Sequence, residues 1–320
     1  MTTAETASEE YDVVVVGGGI AGLTAALVLG RMRRRVVLID AGHPRNAAAA
    51  HVHGFPTRDG TPPAELLELA RAEVRGYGVE VVSATVSGVD SSAVVRTAEG
   101  QQYRGRQVIL ASGLCDVLPE IDGLAGRWGR DVLQCPYCHG YESADKAIAV
   151  LATAKASFQQ AQLVRTFSSN VVLVLQEEIG MDEKEKRGLE AMGIGLLEGP
   201  VCAVSVSDGA LDGLVLSDGR TLPCEAVFLE PAARLDPGLT EHLELDDDGC
   251  IVTDELGRTS REGIWAVGNA ADPAAQVITS AGDAYRLAVA VNATLLKDDF
   301  GQTVASIEDH AVKAPVVETV

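Results

Sequence analysis

The sequence is short of positive charge: 26 Lys and Arg stand against 46 Asp and Glu, a formal net charge of −20 over 320 residues. So acidic a chain repels phosphate backbones and anionic headgroups, which argues against nucleic acid and membrane surfaces as partners. Its one basic cluster, Arg31, Arg33, Arg34 and Arg35, falls at the end of a predicted helix, where cations suit the helix dipole. No apolar run reaches the length of a membrane span. The opening MTTAETASEEYD is polar and acidic, unlike a signal peptide, and is expected to be a frayed leader in a cytoplasmic protein. Cysteines are few, and only one pair is closely spaced, so a secreted disulfide framework is not expected. Cys115, Cys202, Cys224 and Cys250 are expected to be buried small hydrophobes.

The close pair lies in CPYCHGYE, residues 135 to 142. Two cysteines around Pro-Tyr, followed at once by a histidine, admit a zinc knuckle, a thioredoxin-like redox motif or another thiol-based electron exchange. Zinc needs two further ligands at knuckle spacing, and the sequence has no second CxxC and no HxxxH. His139 adjoins Cys138, a poor geometry for one tetrahedral site. No metal is expected.

The chain is long enough for two domains with their own cores. Its first forty residues contain YDVVVVGGGIAGLTAALVLGRMRRRVVLID. Asp12 to Val16 is an apolar β-branched run of strand length, Gly17, Gly19 and Gly22 form GxGxxG, a helical pattern follows, and a second strand from Arg35 to Ile39 ends at Asp40. That is the order of a dinucleotide-binding βαβ unit. Gly17 permits the tight turn, Gly19 lets a pyrophosphate approach the backbone, and Gly22 lets the helix sit close to the strand. The helix N-terminus offers N–H donors to phosphate, and Asp40 is placed to accept from ribose hydroxyls. The motif alone does not separate FAD from NAD.

Near the other end, GIWAVGNAADPAAQVITSAGDAYRLAVAVNATLL reads as a strand, Ile264 to Val267, a break at Gly268-Asn269, and a helix from Ala274 to Leu296. With both ends in view the chain resembles the thioredoxin-reductase-like flavoproteins over nearly its whole length. The resemblance implies an α/β protein with two dinucleotide-binding, Rossmann-like domains, the second inserted into the first. Residues 1–115 and 245–320 would form a discontinuous FAD domain, and 116–244 the insert. In the family the C-terminal strand ends in Gly-Asp, whose Asp binds the FAD ribitol; here Asn269 stands at that place and still offers a hydrogen bond. Ala275, Gln276 and Val277 match the flavin-facing start of the next helix, where backbone N–H groups would stabilise negative charge on reduced flavin.

Two departures fall in the insert. The family's second glycine-rich turn should follow the strand at 146–151, but residues 152–157 read Ala-Thr-Ala-Lys-Ala-Ser, with no glycine. The family's His-Arg-Arg run, whose arginines hold the 2′-phosphate of NADPH, should follow the strand at 170–175; Gln176, Glu177 and Glu178 stand there instead. Carboxylates repel phosphate. The expectation is a dinucleotide-fold scaffold without its dinucleotide.

Within this resemblance CPYC is a redox-active pair, with Cys138 the flavin-proximal sulfur and Cys135 the one that exchanges with substrate. Thioredoxin reductases usually carry an acidic residue after the second cysteine; His139 in its place suits a base for a small thiol, since imidazole titrates near neutral pH. CPYCHG, with GHPRNAAAAHVHGFPTRDG at 42–60, resembles the dithiol oxidases that close disulfides in natural products of the gliotoxin and holomycin type. His51 and His53 are candidate extra bases or redox-tuning donors. The resemblance implies a homodimer that binds FAD and oxidises a small-molecule dithiol, with O₂ the acceptor inferred from the missing nicotinamide site. The alternatives are a disulfide reductase fed by another donor, such as ferredoxin, and a flavin-binding redox sensor.

Overall fold

The computed structural model describes residues 10–176 and 179–312. The first nine residues of the expected leader, and the inverted-charge pair Glu177-Glu178, lie outside the described residues.

In chain order the elements begin with β1 (Tyr11–Val16), α1 (Ile20–Arg31) and β2 (Val36–Asp40), then α2 (Pro63–Gly76), β3 (Glu80–Ser83), β4 (Val86–Val89), β5 (Val94–Thr97) and β6 (Gln102–Leu110). Next come β7 (Cys115–Val117), β8 (Val132–Leu133), the short α3 (Pro136–His139), β9 (Ile148–Ala152), α4 (Ala156–Val164), β10 (Val171–Leu175), α5 (Glu183–Ala191) and β11 (Ile194–Glu198). Strands β12 (Val201–Ser207), β13 (Ala210–Leu216), β14 (Thr221–Pro223), β15 (Ala226–Leu229) and β16 (Ala232–Arg234) follow. The chain closes with α6 (Pro237–Thr240), β17 (Ile264–Ala266) and α7 (Val277–Val312).

Two compact units result. The first comprises residues 1–44, 67–114 and 235–320; the second comprises 45–66 and 115–234. The expected boundaries differ in two places. Residues 45–66 group with the second unit, because Arg45 is ion-paired to Asp116 at 2.7 Å and bonds the Gln134 side chain at 3.2 Å. Residues 235–244 group with the first, where α6 packs on β4 so closely that a Cβ on Gly238 would lie 2.1 Å from Ser87 O.

The first unit holds a sheet ordered β3-β2-β1-β6-β5-β4, with β17 also pairing β6. Strands β1, β2, β3 and β17 run parallel to their neighbours, whereas β5 pairs β6 antiparallel. Val13 to Val16 are buried without alternation, as expected of a parallel strand covered on both faces. Helices α1 and α7 supply Leu23, Leu29, Leu287 and Val291 to one core with Val13, Val15, Val36 and Leu38. Helix α7 runs well past the expected Leu296. Arg34 and Arg106 both clamp Asp299, at 2.8 and 2.7 Å, tying that later part to the start of β2 and to β6. Only Arg31 of the basic cluster lies within α1; Arg35 instead stacks on the Tyr11 ring.

The second unit holds an all-parallel sheet, β11-β10-β9-β15-β8. Strand β9 shows why two layers are needed. Ile148 and Val150 face a core with Phe158 and Val164 of α4, while Ala149 and Leu151 face a second core with Leu211 and Leu214 of β13. The period of two in the strand sends alternate side chains to opposite layers. Among the isolated cysteines, Cys224 and Cys250 are buried as expected, and burial pushes the Cys224 thiol up to about 12. Cys115 and Cys202 are exposed, contrary to expectation, because both sit on short or edge strands. Among the described residues no helix is long and apolar enough to cross a membrane.

Candidate active site

The first unit gathers the glycine turn and the C-terminal strand end around the start of α1. Gly17 takes φ +104°, and a Cβ there would meet Ala111 O at 2.3 Å. A Cβ on Gly22 would lie 1.9 Å from Gly17 O, so the turn and helix close on each other only with glycine. Gly19 differs: a Cβ there meets no protein atom within 4 Å. Its face is open, which is what close approach of a ligand requires. Gly19 is the N-cap of α1 and makes no side-chain cap, so the first-turn N–H groups are left for an anion.

Asp40, the last residue of β2, accepts from Gly18 N–H with Oδ1 and from Arg71 with Oδ2, each at 3.0 Å. Both contacts fix the carboxylate at the mouth of the turn. Gly268, at φ +68°, brings the end of β17 against the same helix start: its Cβ would be 3.0 Å from the Ala21 Cβ. The Asn269 amide donates to the carbonyls of Asp272, Pro273 and Ala275 at 3.0, 3.2 and 3.0 Å. An Asp has no proton to donate there. Asn269 therefore shapes the loop that delays α7 to Val277, three residues beyond the expected start. Gln276 N–H is taken by Thr279 Oγ1 at 2.8 Å, and of the expected flavin-facing residues Ala275, Gln276 and Val277 it is Val277 that opens the helix. An open glycine face, an uncapped helix start and a fixed Asp40 fit a dinucleotide such as FAD.

Cys135 and Cys138 are in the second unit, in the segment between β8 and β9. Cys135 and Cys138 form a disulfide with Cα atoms 5.3 Å apart. Cys135 is the extended N-cap of α3, Pro136 occupies the first helical position, and Cys135 O accepts from the N–H groups of Cys138 and His139, both at 3.1 Å. Gly140 ends the turn because the Phe167 ring lies 2.4 Å from where its Cβ would be. Gln160 of α4 donates to Gln134 O at 2.7 Å, and Arg45 holds the Gln134 side chain, so the residue before Cys135 is anchored twice.

His139 sits partly buried beside the disulfide, and neither ring nitrogen has a hydrogen-bond partner among the described residues. Burial presses its imidazole below the ordinary value, Glu142 pulls it back up, His53 pushes it down, and the nearby Cys135 backbone adds the weakest upward pull without reaching hydrogen-bond geometry. His53 lies between two carboxylates, 3.3 Å from Asp59 and 3.5 Å from Glu142. His51 is exposed, its ring 6.2 Å from that of His53. Glu142 ends the CPYCHGYE stretch and Asp59 falls near the end of the 42–60 stretch, and neither is among the candidate residues read from the sequence. Tyr137 and Tyr141, 79% and 83% exposed, flank the pair with aromatic surface.

The turn after β9 is closed from within. Ser157 is fully buried, and its hydroxyl accepts from Thr153 N–H at 3.1 Å and Ala154 N–H at 3.4 Å. Thr153 Oγ1 in turn donates to Glu230 O at 2.9 Å. Two N–H donors of this turn, those of Thr153 and Ala154, are thereby taken up within the protein.

Residues 11–293 match the family model described as pyridine nucleotide-disulphide oxidoreductase. The chain is 29% identical over 312 residues to the thioredoxin reductase sirT of Leptosphaeria maculans, covering 90% of this chain and 95% of that one. Its fold superposes on the crystal structure of HlmI with a TM-score of 0.89 and 41% identity, over 97% of this chain and 99% of that one. An oxidoreductase from Agrobacterium tumefaciens is 32% identical, with a TM-score of 0.84 over 90% and 99% of the two chains. Proteins of the matched family are flavoproteins that typically bind FAD. The chain is a thioredoxin-reductase-like disulfide oxidoreductase, and it belongs to the pyridine nucleotide-disulphide oxidoreductase family.

Proposed function

We propose that the protein is an FAD-dependent thiol oxidase that turns a small-molecule dithiol into its disulfide, in natural-product chemistry. The observation that carries this reading is the Cys135–Cys138 disulfide beside His139, whose two ring nitrogens are unpartnered among the described residues. A base with both nitrogens satisfied by protein could not accept a thiol proton without breaking a bond. Gly17, Gly19, Gly22 and Asp40 would hold FAD, with Asn269, Gln276 and Val277 shaping its flavin end.

His139 takes the proton of one substrate thiol. The thiolate attacks Cys135 Sγ, the Cys135–Cys138 bond breaks, and the electron pair stays on Cys138 Sγ. The second substrate thiolate then attacks the substrate sulfur of the mixed disulfide and releases Cys135 as thiolate. Substrate leaves oxidised by two electrons, and the pair is left reduced by two. FAD supplies the two-electron sink that restores the disulfide, and dioxygen, giving peroxide, is the proposed final acceptor.

The relatives' name, thioredoxin reductase, supports a second reading, in which the same pair reduces disulfides with electrons from a donor such as ferredoxin. A cytoplasmic homodimer is the proposed form. It is supported by an exposed apolar stripe on α7, where Tyr285, Val289, Leu296 and Phe300 are each more than half exposed.

Anaerobic mixing tests the reading. A small dithiol should bleach the flavin absorbance, and air should restore it with release of peroxide. Cys135→Ser should stop the bleaching with flavin still bound, and Cys138→Ser should trap substrate on Cys135. Bleaching that survives in the double variant would sink the role of the pair.

A further inference from the structure

His53 has a carboxylate on each side. Its Nδ1 lies 3.3 Å from Asp59 Oδ2 and its Nε2 3.5 Å from Glu142 Oε1. The Asp59 side is held by backbone: Asp59 Oδ1 accepts from Gly54 N–H at 2.8 Å, and Val52 pairs with Thr61 to close the loop bearing both residues. The Glu142 side belongs to the redox motif, three residues beyond His139. Carboxylate oxygens only accept, so this arrangement is satisfied when both nitrogens of His53 carry protons.

The Glu142 carboxylate, which acts on His139, therefore stands against an imidazole rather than alone. Glu142 and His53 act on His139 with opposite signs, Asp59 stands behind His53, the His51 ring lies beside that of His53, and Tyr137 and Tyr141 flank the motif. Left alone, Glu142 would favour the imidazolium of His139. An imidazolium has no lone pair for a thiol proton.

Resting on the oxidase reading, we propose that His53 is a positioning residue that masks the Glu142 carboxylate and keeps His139 a neutral proton acceptor for the substrate thiol. The proton moves from the substrate sulfur to a ring nitrogen of His139. The freed electron pair forms the bond to Cys135 Sγ, and the pair of the broken disulfide bond stays on Cys138 Sγ. The arrangement differs from a catalytic triad in sign: the carboxylate nearest the base is neutralised rather than used.

The test compares the flavin-loaded wild type with His53→Gln, Glu142→Gln and the double variant. Each is followed by NMR titration of His139 in the oxidised resting protein and by the pH profile of dithiol kcat/KM. In His53→Gln the His139 titration and the acid limb of the profile should move to higher pH, with about a tenfold loss near pH 6. Glu142→Gln should move both to lower pH. On the Glu142→Gln background, His53→Gln should add a smaller upward shift, from the loss of the His53 ring alone, because no carboxylate remains to be unmasked. An unshifted or downward-shifted titration in His53→Gln would overturn the proposal, as would an equal upward shift on both backgrounds. Titration shifts in the variants, with no dithiol turnover by the wild type, overturn the oxidase reading alone. Turnover without the shifts overturns the masking alone.

Discussion

At the end of β1 the chain turns through Gly17, Gly18 and Gly19 into α1; at the end of β9 it turns through Thr153, Ala154 and Lys155 into α4. Both strands are fully parallel members of their sheets, and both helices pack back on the strand they follow. The turns differ in where their N–H groups point. In the first, a Cβ on Gly19 would enter open space, and the helix start lacks a cap. In the second, the buried Ser157 hydroxyl takes two donors for itself. A strand–turn–helix scaffold thus persists for packing reasons, while ligand binding depends on a few turn atoms. The second unit keeps the scaffold and also carries the Cys135–Cys138 disulfide with His139 beside it in the chain.

The strongest way to break this comparison is to separate the two roles of glycine in the first turn. Gly22→Ala should cost about 3 kcal/mol or more of stability, because its Cβ would lie 1.9 Å from a backbone oxygen that cannot move away freely. Gly19→Val should leave the fold near wild-type stability, since nothing in the protein is within 4 Å of its Cβ. It should still weaken flavin binding about a hundredfold, the worth of one or two charge-assisted hydrogen bonds. Flavin content after gel filtration, read beside a urea melt, distinguishes the two. A Gly19→Val protein with full flavin would mean that the open face is not the ligand's.

A smaller effect is expected in the second turn. Ser157→Ala leaves two buried N–H groups without their acceptor and should cost about 1–3 kcal/mol, with flavin content unchanged. Under anaerobic conditions NADPH at about 100 µM, within the usual KM range, should leave the flavin spectrum unchanged in both proteins. Rapid saturable bleaching by NADPH would erase the contrast between the turns and promote the reductase reading.

Much of the first unit was legible because its signals are local. A β-branched run, three glycines and an acid at fixed spacing lie within about thirty residues, and β1, α1 and β2 form within a residue or two of expectation. The CPYC spacing is local too, and the structure joins its two cysteines in a disulfide. The rest depended on partners distant in sequence. Helix α7 continues because Arg34 and Arg106 reach Asp299, and residues 45–66 leave the first unit because Arg45 reaches Asp116. Asn269 looked like a mild substitute for Asp, but its amide protons organise the loop that sets the start of α7. The bracketing of His53 by Asp59 and Glu142 needs two segments, separated by more than eighty residues of chain, to meet. No periodicity or motif spans that distance.

The smallest expected effect sharpens the contrast between two buried polar groups of the second unit. Ser157 is satisfied and does not titrate in the working range; His139 is unsatisfied, and burial holds its pKa below the ordinary value. In the unfolded chain an exposed His protonates near about pH 6.5. Above that value His139 is neutral in both states and adds no pH dependence. As pH falls through 6.5 toward the depressed folded value, roughly, the unfolded chain takes up a proton that the folded protein resists, so stability declines. Below the folded value both states are protonated and the decline ends. Replacing His139 by Phe should remove this component, leaving a stability curve with a smaller acid-side slope than wild type. Denaturation midpoints taken in steps from about pH 7.5 to 5 report it, and the difference between the two proteins cancels the contributions of His51 and His53 to first order. Parallel curves would mean that His139 is solvated in the folded protein, and the case for it as a buried neutral base would fall.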